Sequence, residues 1–176
     1  MNLISSNRVD ESSLHRVDLQ FLRFKLQPNF TVLIEVELVT EVVNISIDRV
    51  VPMPHLPPTV LGVYNWRGEI LWIVDLAMLI GVAGSRQHYQ NPQPIIILSS
   101  GTSNEDRQRK TIGFVVDEIE EIESGKLDLI QSPESDNIYP KLSSWMRGWW
   151  ESATGENFLV LDGQLILNRA DFHADV

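Results

Sequence analysis

Few side chains in this sequence stand at spacings that perform chemistry. Glu35 and Glu37 share one face if their segment is a strand, as paired glycosidase carboxylates do. The plainer reading is a solvated strand face. Asp117 to Glu123 carries Glu120, Glu121 and Glu123, which suit a basic partner or an edge that resists strand pairing. The four histidines, His15, His55, His88 and His173, are scattered, and none stands at metal-ligand spacing from another. There is no cysteine, which removes thiolate metal sites, disulfides and thiol nucleophiles. Neither a phosphate loop, a dinucleotide fingerprint nor a Gly-Xaa-Ser-Xaa-Gly elbow occurs. No catalytic residue, metal or cofactor is expected.

One cation is conspicuous. Arg67 stands between Trp66 and Gly68, at the tip of an expected tight turn. Two readings stay open for it. It could lay its stem along Trp66, or offer a bidentate hydrogen bond to a partner carboxylate. In sequence, only Glu69 stands near enough to pair with it.

Composition narrows the field further. The 176 residues carry 14 Lys and Arg against 24 Asp and Glu, a formal net charge of −10. Such a chain repels nucleic-acid phosphates and anionic lipid. With 43% apolar residues it can bury a core. No apolar run approaches the ~20 residues of a membrane span, and no signal-peptide core opens the chain. A cytoplasmic protein without direct membrane insertion is expected.

The elements that must hold Arg67 are short strands. Residues 1–17 are polar and aperiodic and read as a loose tail. Leu22, Phe24 and Leu26 alternate with Arg23 and Lys25, a half-buried strand. Ile34, Val36 and Leu38 alternate with Glu35 and Glu37 as another. Pro52 to Pro58 forms an extended connector, from which Pro58 can start one helical turn ending at Gly62. Strands then flank the Arg67-Gly68 turn. Asp75 caps a short helix that ends at Gly81. Residues 82–93 read as the joint between two comparable groups of strands. Ile95 to Leu98 is a buried strand, residues 101–109 a hairpin tip, and residues 132–140 another loop. Trp145 to Trp150 resumes strand character. There Trp149 and Trp150 point to opposite faces, one buried and one at a surface or seam. Asp162-Gly163 reads as the turn of a closing hairpin between Phe158–Leu161 and Gln164–Leu167. The class is all-β, with one or two short helices.

At this point the sequence resembles the CheW-like domains, the adaptors of chemotaxis-type signalling. Gly62, Val63, Asn65, Arg67 and Gly68, followed by Asp75 and Leu76, are similar to that family's Pro-led signature. Phe21 to Phe24, Val39 to Val42, Gly113 to Asp117 with Ile119 and Ile122, Gly148, and Leu161 to Leu167 resemble its other segments in order. The resemblance covers roughly residues 19–168. It implies two SH3-like five-stranded β-barrels packed together, within one domain over 18–170. Residues 171–176 are left as a tail.

The resemblance further implies a non-catalytic scaffold. Its partners would be the regulatory domain of a two-component histidine kinase and the cytoplasmic tip of a methyl-accepting-type receptor. Val39 and Glu41 map to a partner-binding stretch, and Arg67 with Gly62 and Gly68 to the groove that meets the receptor; Trp66, an aromatic at the turn tip beside Arg67, is read as its partner-binding companion. Asn65, Gly68 and Asp75 map to structural positions. Trp66 replaces the family's usual Leu and Trp72 a usual Pro, and a Leu-rich final helix is expected to be missing. These departures suit a pilus- or phototaxis-type paralogue. Two alternatives stand beside this reading. One is a small β-barrel enzyme using Glu35, Glu37 or Asp75. The other is a regulatory fragment of a histidine kinase.

Overall fold

A computed structural model describes residues 18–27, 29–84, 89–100, 110–132 and 140–170. Expectations for the N-terminal tail, the loop at 101–109, most of 132–140, and His15, His88 and His173 lie outside these residues.

The described residues form ten strands in two five-stranded sheets. Sheet A contains β1 (Asp18–Leu26), β2 (Phe30–Glu35), β8 (Glu118–Lys126), β9 (Met146–Glu151) and β10 (Asn157–Leu161), in the order β8-β1-β2-β10-β9. Sheet B contains β3 (Val39–Ile45), β4 (Val60–Trp66), β5 (Glu69–Asp75), β6 (Gln93–Ser99) and β7 (Thr111–Val115), in the order β3-β6-β7-β5-β4. The chain runs through the same order of elements twice. An antiparallel hairpin is followed by a strand, a 3-10 turn, two more strands and a helix. Each sheet takes its hairpin from one half of the chain and its other three strands from the other half.

The joint expected near 82–93 is therefore where the element order repeats, but not where the sheets divide. Both β5 and β6, on either side of it, belong to sheet B. The chain crosses between sheets after β2 and after β7.

Neither ladder closes into a complete barrel; one bridge joins the two ends of each sheet. Val51, beyond the 3-10 turn Ile47–Arg49 that follows β3, exchanges two backbone hydrogen bonds with Val63 of β4, at 2.8 and 2.9 Å. Gln131, beyond the equivalent turn Leu127–Leu129, does the same with Trp149 of β9. A glycine precedes each bridged strand residue. A Cβ on Gly62 would lie 2.1 Å from Val51 O, and one on Gly148 1.8 Å from Gln131 O. Both glycines also hold positive φ, at 146° and 156°, so no other residue fits.

Alternation divides the apolar residues among three cores. Ile95 and Ile97 point into barrel B with Leu71, Ile73 and Val115. Ile96 and Leu98 point the other way, into a seam shared with Leu22, Phe24 and Leu26 of sheet A. Phe21, Leu33, Phe158 and Val160 fill barrel A. Strands buried on both faces read as continuous apolar runs, and Ile95 to Leu98 is one.

Several expectations are corrected. Asp162-Gly163 does not turn a hairpin. Asp162 Oδ1 accepts from Leu165 N–H at 2.9 Å and caps the helix Gly163–Arg169, so a final helix is present. The strand through Glu35 and Glu37 breaks, because Val36–Leu38 forms a 3-10 turn. No helical turn runs from Pro58 to Gly62; Val60 to Gly62 already belong to β4. Trp149 and Trp150 do face opposite sides, but neither is fully buried: Trp149 packs on the seam and Trp150 on barrel A.

Candidate functional site

The Arg67 turn lies at one end of barrel B. Trp66 and Glu69 pair across it, leaving the two-residue loop Arg67-Gly68. Both residues hold positive φ, 55° and 86°, as the twist of a two-residue hairpin demands. Asn65 Oδ1 accepts from Gly68 N–H at 3.1 Å and braces the loop. Gly68 has open space around it and supplies conformation, whereas Arg67 is a non-glycine residue held in the left-handed region.

Two contacts hold Arg67 there. Its guanidinium carbon sits 5.0 Å above the centre of the Trp66 ring. Its Nη2 lies 2.9 Å from Glu41 Oε2. The stacking on Trp66 is present, and the carboxylate that Arg67 meets is the chain's own Glu41, through a single contact. Glu41 reaches Arg67 because β3 and β4 are the outer strands of a curled sheet. A bulge between Val39 and Glu41 in the pairing with β6 sets the register there. The Arg67 side chain remains 69% exposed, while Glu41 is at 31%. Glu41 Oε2 is shielded from solvent and receives no aligned hydrogen bond from the described residues. The carboxylate is electrostatically paired yet has unused acceptor capacity.

The other expected site residues divide. Trp66 is half-buried, with its inner side on the barrel B core. Val39 is half-buried against the seam. Gly62 is buried under Val51 and shapes the ladder. Asp75 is fully buried; Oδ1 accepts from Met78 N–H at 3.0 Å and Oδ2 from Tyr89 Oη at 3.1 Å. Ile70, beside the turn, is 74% exposed.

The family model for the CheW-like domain matches residues 20–171, nearly all of the described chain. The chain belongs to the CheW-like domain family. It is 34% identical over 71 residues to a chemotaxis protein CheW of Rhizobium meliloti (strain 1021), covering 40% of each chain. It is 34% identical over 83 residues to a probable chemotaxis protein CheW of Rhizobium etli, covering 47% of this chain and 48% of that one. The match thus spans less than half the length of either relative. Among solved structures, the scaffolding protein TtCheW from Thermoanaerobacter tengcongensis matches at a TM-score of 0.68 and 18% identity. That match covers 89% of this chain and 97% of TtCheW, and it establishes the shared fold.

This CheW-like domain offers no support for a carboxylate active site. Glu35 is engaged by Arg147 Nη1, and Glu37 lies in the 3-10 turn. His55 stands exposed in the connector, with φ of 64°. Among the described residues no group of three or more His, Asp or Glu is placed to hold a metal ion. No described helix is long and apolar enough to cross a membrane.

The acidic run lies on β8, an outer strand of sheet A, and its side chains are engaged from the neighbouring strand. Arg23, on neighbouring β1, engages Glu120 at 2.7 Å and Glu121 and Glu123 at 2.5 Å each. Lys25 adds a fourth contact, to Glu120 at 3.1 Å. Burial pushes the Arg23 guanidinium down, but the three glutamates outweigh it and leave it above its ordinary value. Sequence reasoning missed this clamp because its members come from opposite ends of the chain. The barrels therefore differ at their open ends. Barrel A carries an Arg clamp between adjacent strands, and barrel B one exposed Arg–Glu contact across the open edge.

Proposed function

We propose that this chain is a non-catalytic scaffold that couples a chemoreceptor-like sensor to a two-component histidine kinase. The kinase contributes its regulatory domain, and the receptor its cytoplasmic tip. The observation that carries this reading is the Arg67–Glu41–Trp66 end of barrel B. It presents an exposed guanidinium, the less exposed carboxylate it pairs with and a half-buried aromatic within one small patch. Aromatic and Arg residues in this setting are the usual anchors of protein interfaces. Ile70, one residue beyond Glu69 on the strand leaving the turn, adds exposed apolar surface nearby.

Family membership supports the scaffold role, and the two Rhizobium relatives are chemotaxis proteins. A pilus- or phototaxis-type output is the finer reading; it rests on Trp66 and Trp72 standing where the family has Leu and Pro. Co-purification from the source cell tests the proposal. Wild-type protein should carry down a histidine kinase and a receptor together, and the Arg67→Glu variant should lose at least the kinase. Recovery of neither partner with the folded wild type would overturn the reading.

A further inference from the structure

The barrels meet along an apolar seam, but one end of it is held differently. There the chain passes from sheet B to sheet A through Val116 and Asp117. Asp117 uses three groups at once. Its N–H donates to Lys25 O at 3.0 Å, and its Oδ2 accepts from Gln27 N–H at 2.8 Å. Its carbonyl accepts from Gln90 Nε2 at 3.0 Å. Lys25 and Gln27 belong to the end of the first hairpin, in sheet A. Gln90 belongs to the connection between the two halves of the chain. Buried Gln93 completes the tie: its Oε1 accepts from Gln90 N–H at 2.8 Å, and its Nε2 donates to Val116 O.

The surroundings are not close-packed. A cleft of about 420 Å³ opens here, lined by Leu26, Phe30, Thr31, Asp117 and Glu118 among others. The apolar seam holds the barrels together, and beside this cleft directional hydrogen bonds add an orientation that apolar contact alone does not specify. We infer that Asp117 is a positioning residue that sets the angle between the two barrels, and so the placement of the Arg67 patch relative to barrel A. The inference does not depend on the partners proposed above, because its readout needs none.

The absence of cysteine allows a clean test. Spin labels on Asn44→Cys and Ser124→Cys occupy exposed, equivalent positions on β3 and β8. Pulsed electron–electron resonance then reports the distribution of inter-barrel distance. Asp117→Ala should broaden and shift that distribution. Asp117→Asn, which keeps an acceptor oxygen for Gln27 N–H, should leave it narrow. Gln90→Ala removes a single surface donor and should give a smaller broadening. A wild-type distribution in Asp117→Ala would overturn the inference, as would equal broadening in the Asn variant. Should Asp117→Ala fail to fold, an unchanged distribution in Gln90→Ala would overturn it instead.

Discussion

Arg67 Nη2 lies 2.9 Å from Glu41 Oε2, across the open edge between the outer strands of sheet B. A sequence reading treats these residues as two surfaces, one for each partner. The structure makes them one patch. A charge change at either residue therefore acts on both.

The pair is too exposed to hold the fold. An ion pair of this kind contributes about 0–1 kcal/mol, and Arg67 also occupies left-handed backbone. Arg67→Gly relieves that conformation while deleting the contact and the stacking on Trp66. We expect its stability to stay within about 1 kcal/mol of wild type in urea unfolding, with partner affinity lost. A large stability loss would make the residue structural.

The bridge glycines behave oppositely. Gly62→Ala and Gly148→Ala each drive a methyl group into a carbonyl oxygen of the facing bridge residue. Each should destabilise by roughly 3 kcal/mol or more. Gly68→Ala meets nothing and carries only a conformational cost, about 1 kcal/mol. Denaturant midpoints of the three variants check this order.

Much of this was legible from sequence, and the failures have physical causes. Alternation in Leu22, Phe24 and Leu26 marked a half-buried strand, and the unbroken Ile95 to Leu98 run marked a buried one. Asp162-Gly163 misled because Asp-Gly serves a hairpin and a helix start equally well. The run Leu165 to Leu167 is too short for its period to distinguish helix from strand. The Arg67–Glu41 pair and the Arg23 clamp could not be read at all. Each joins residues that meet only when a sheet curls or when strands from distant parts of the chain pair, and no local pattern records that.

The Arg23 clamp should be visible in salt. Arg23→Gln leaves Glu120, Glu121 and Glu123 crowded with Lys25 as the remaining nearby cation. The variant should lose about 1–2 kcal/mol at low ionic strength, and the deficit should shrink at 1 M salt as screening weakens the repulsion. A salt-independent deficit would point to lost packing of the Arg23 stem on Phe158, over which its guanidinium carbon sits at 5.5 Å.

The exchanged hairpins make the halves interdependent. β1 and β2 find their sheet partners in β8 and β10, and β6 and β7 find theirs in β3 and β5. Fragments 18–84 and 89–170 should each be unfolded alone by circular dichroism and gain β structure when mixed. Independent folding of either fragment would refute the interdependence.

The most direct test of the scaffold account is calorimetric titration against the regulatory domain of a histidine kinase from the same genome. Wild type, Arg67→Glu, Glu41→Lys and the double charge swap should be run together. The account predicts micromolar or tighter binding by wild type, about −8 kcal/mol or better, and at least tenfold weakening in each single variant. The swap should recover stability by re-forming the pair but should not recover binding, because a partner would meet reversed charges. No binding by a well-folded wild type, or wild-type affinity in Arg67→Glu, would contradict it.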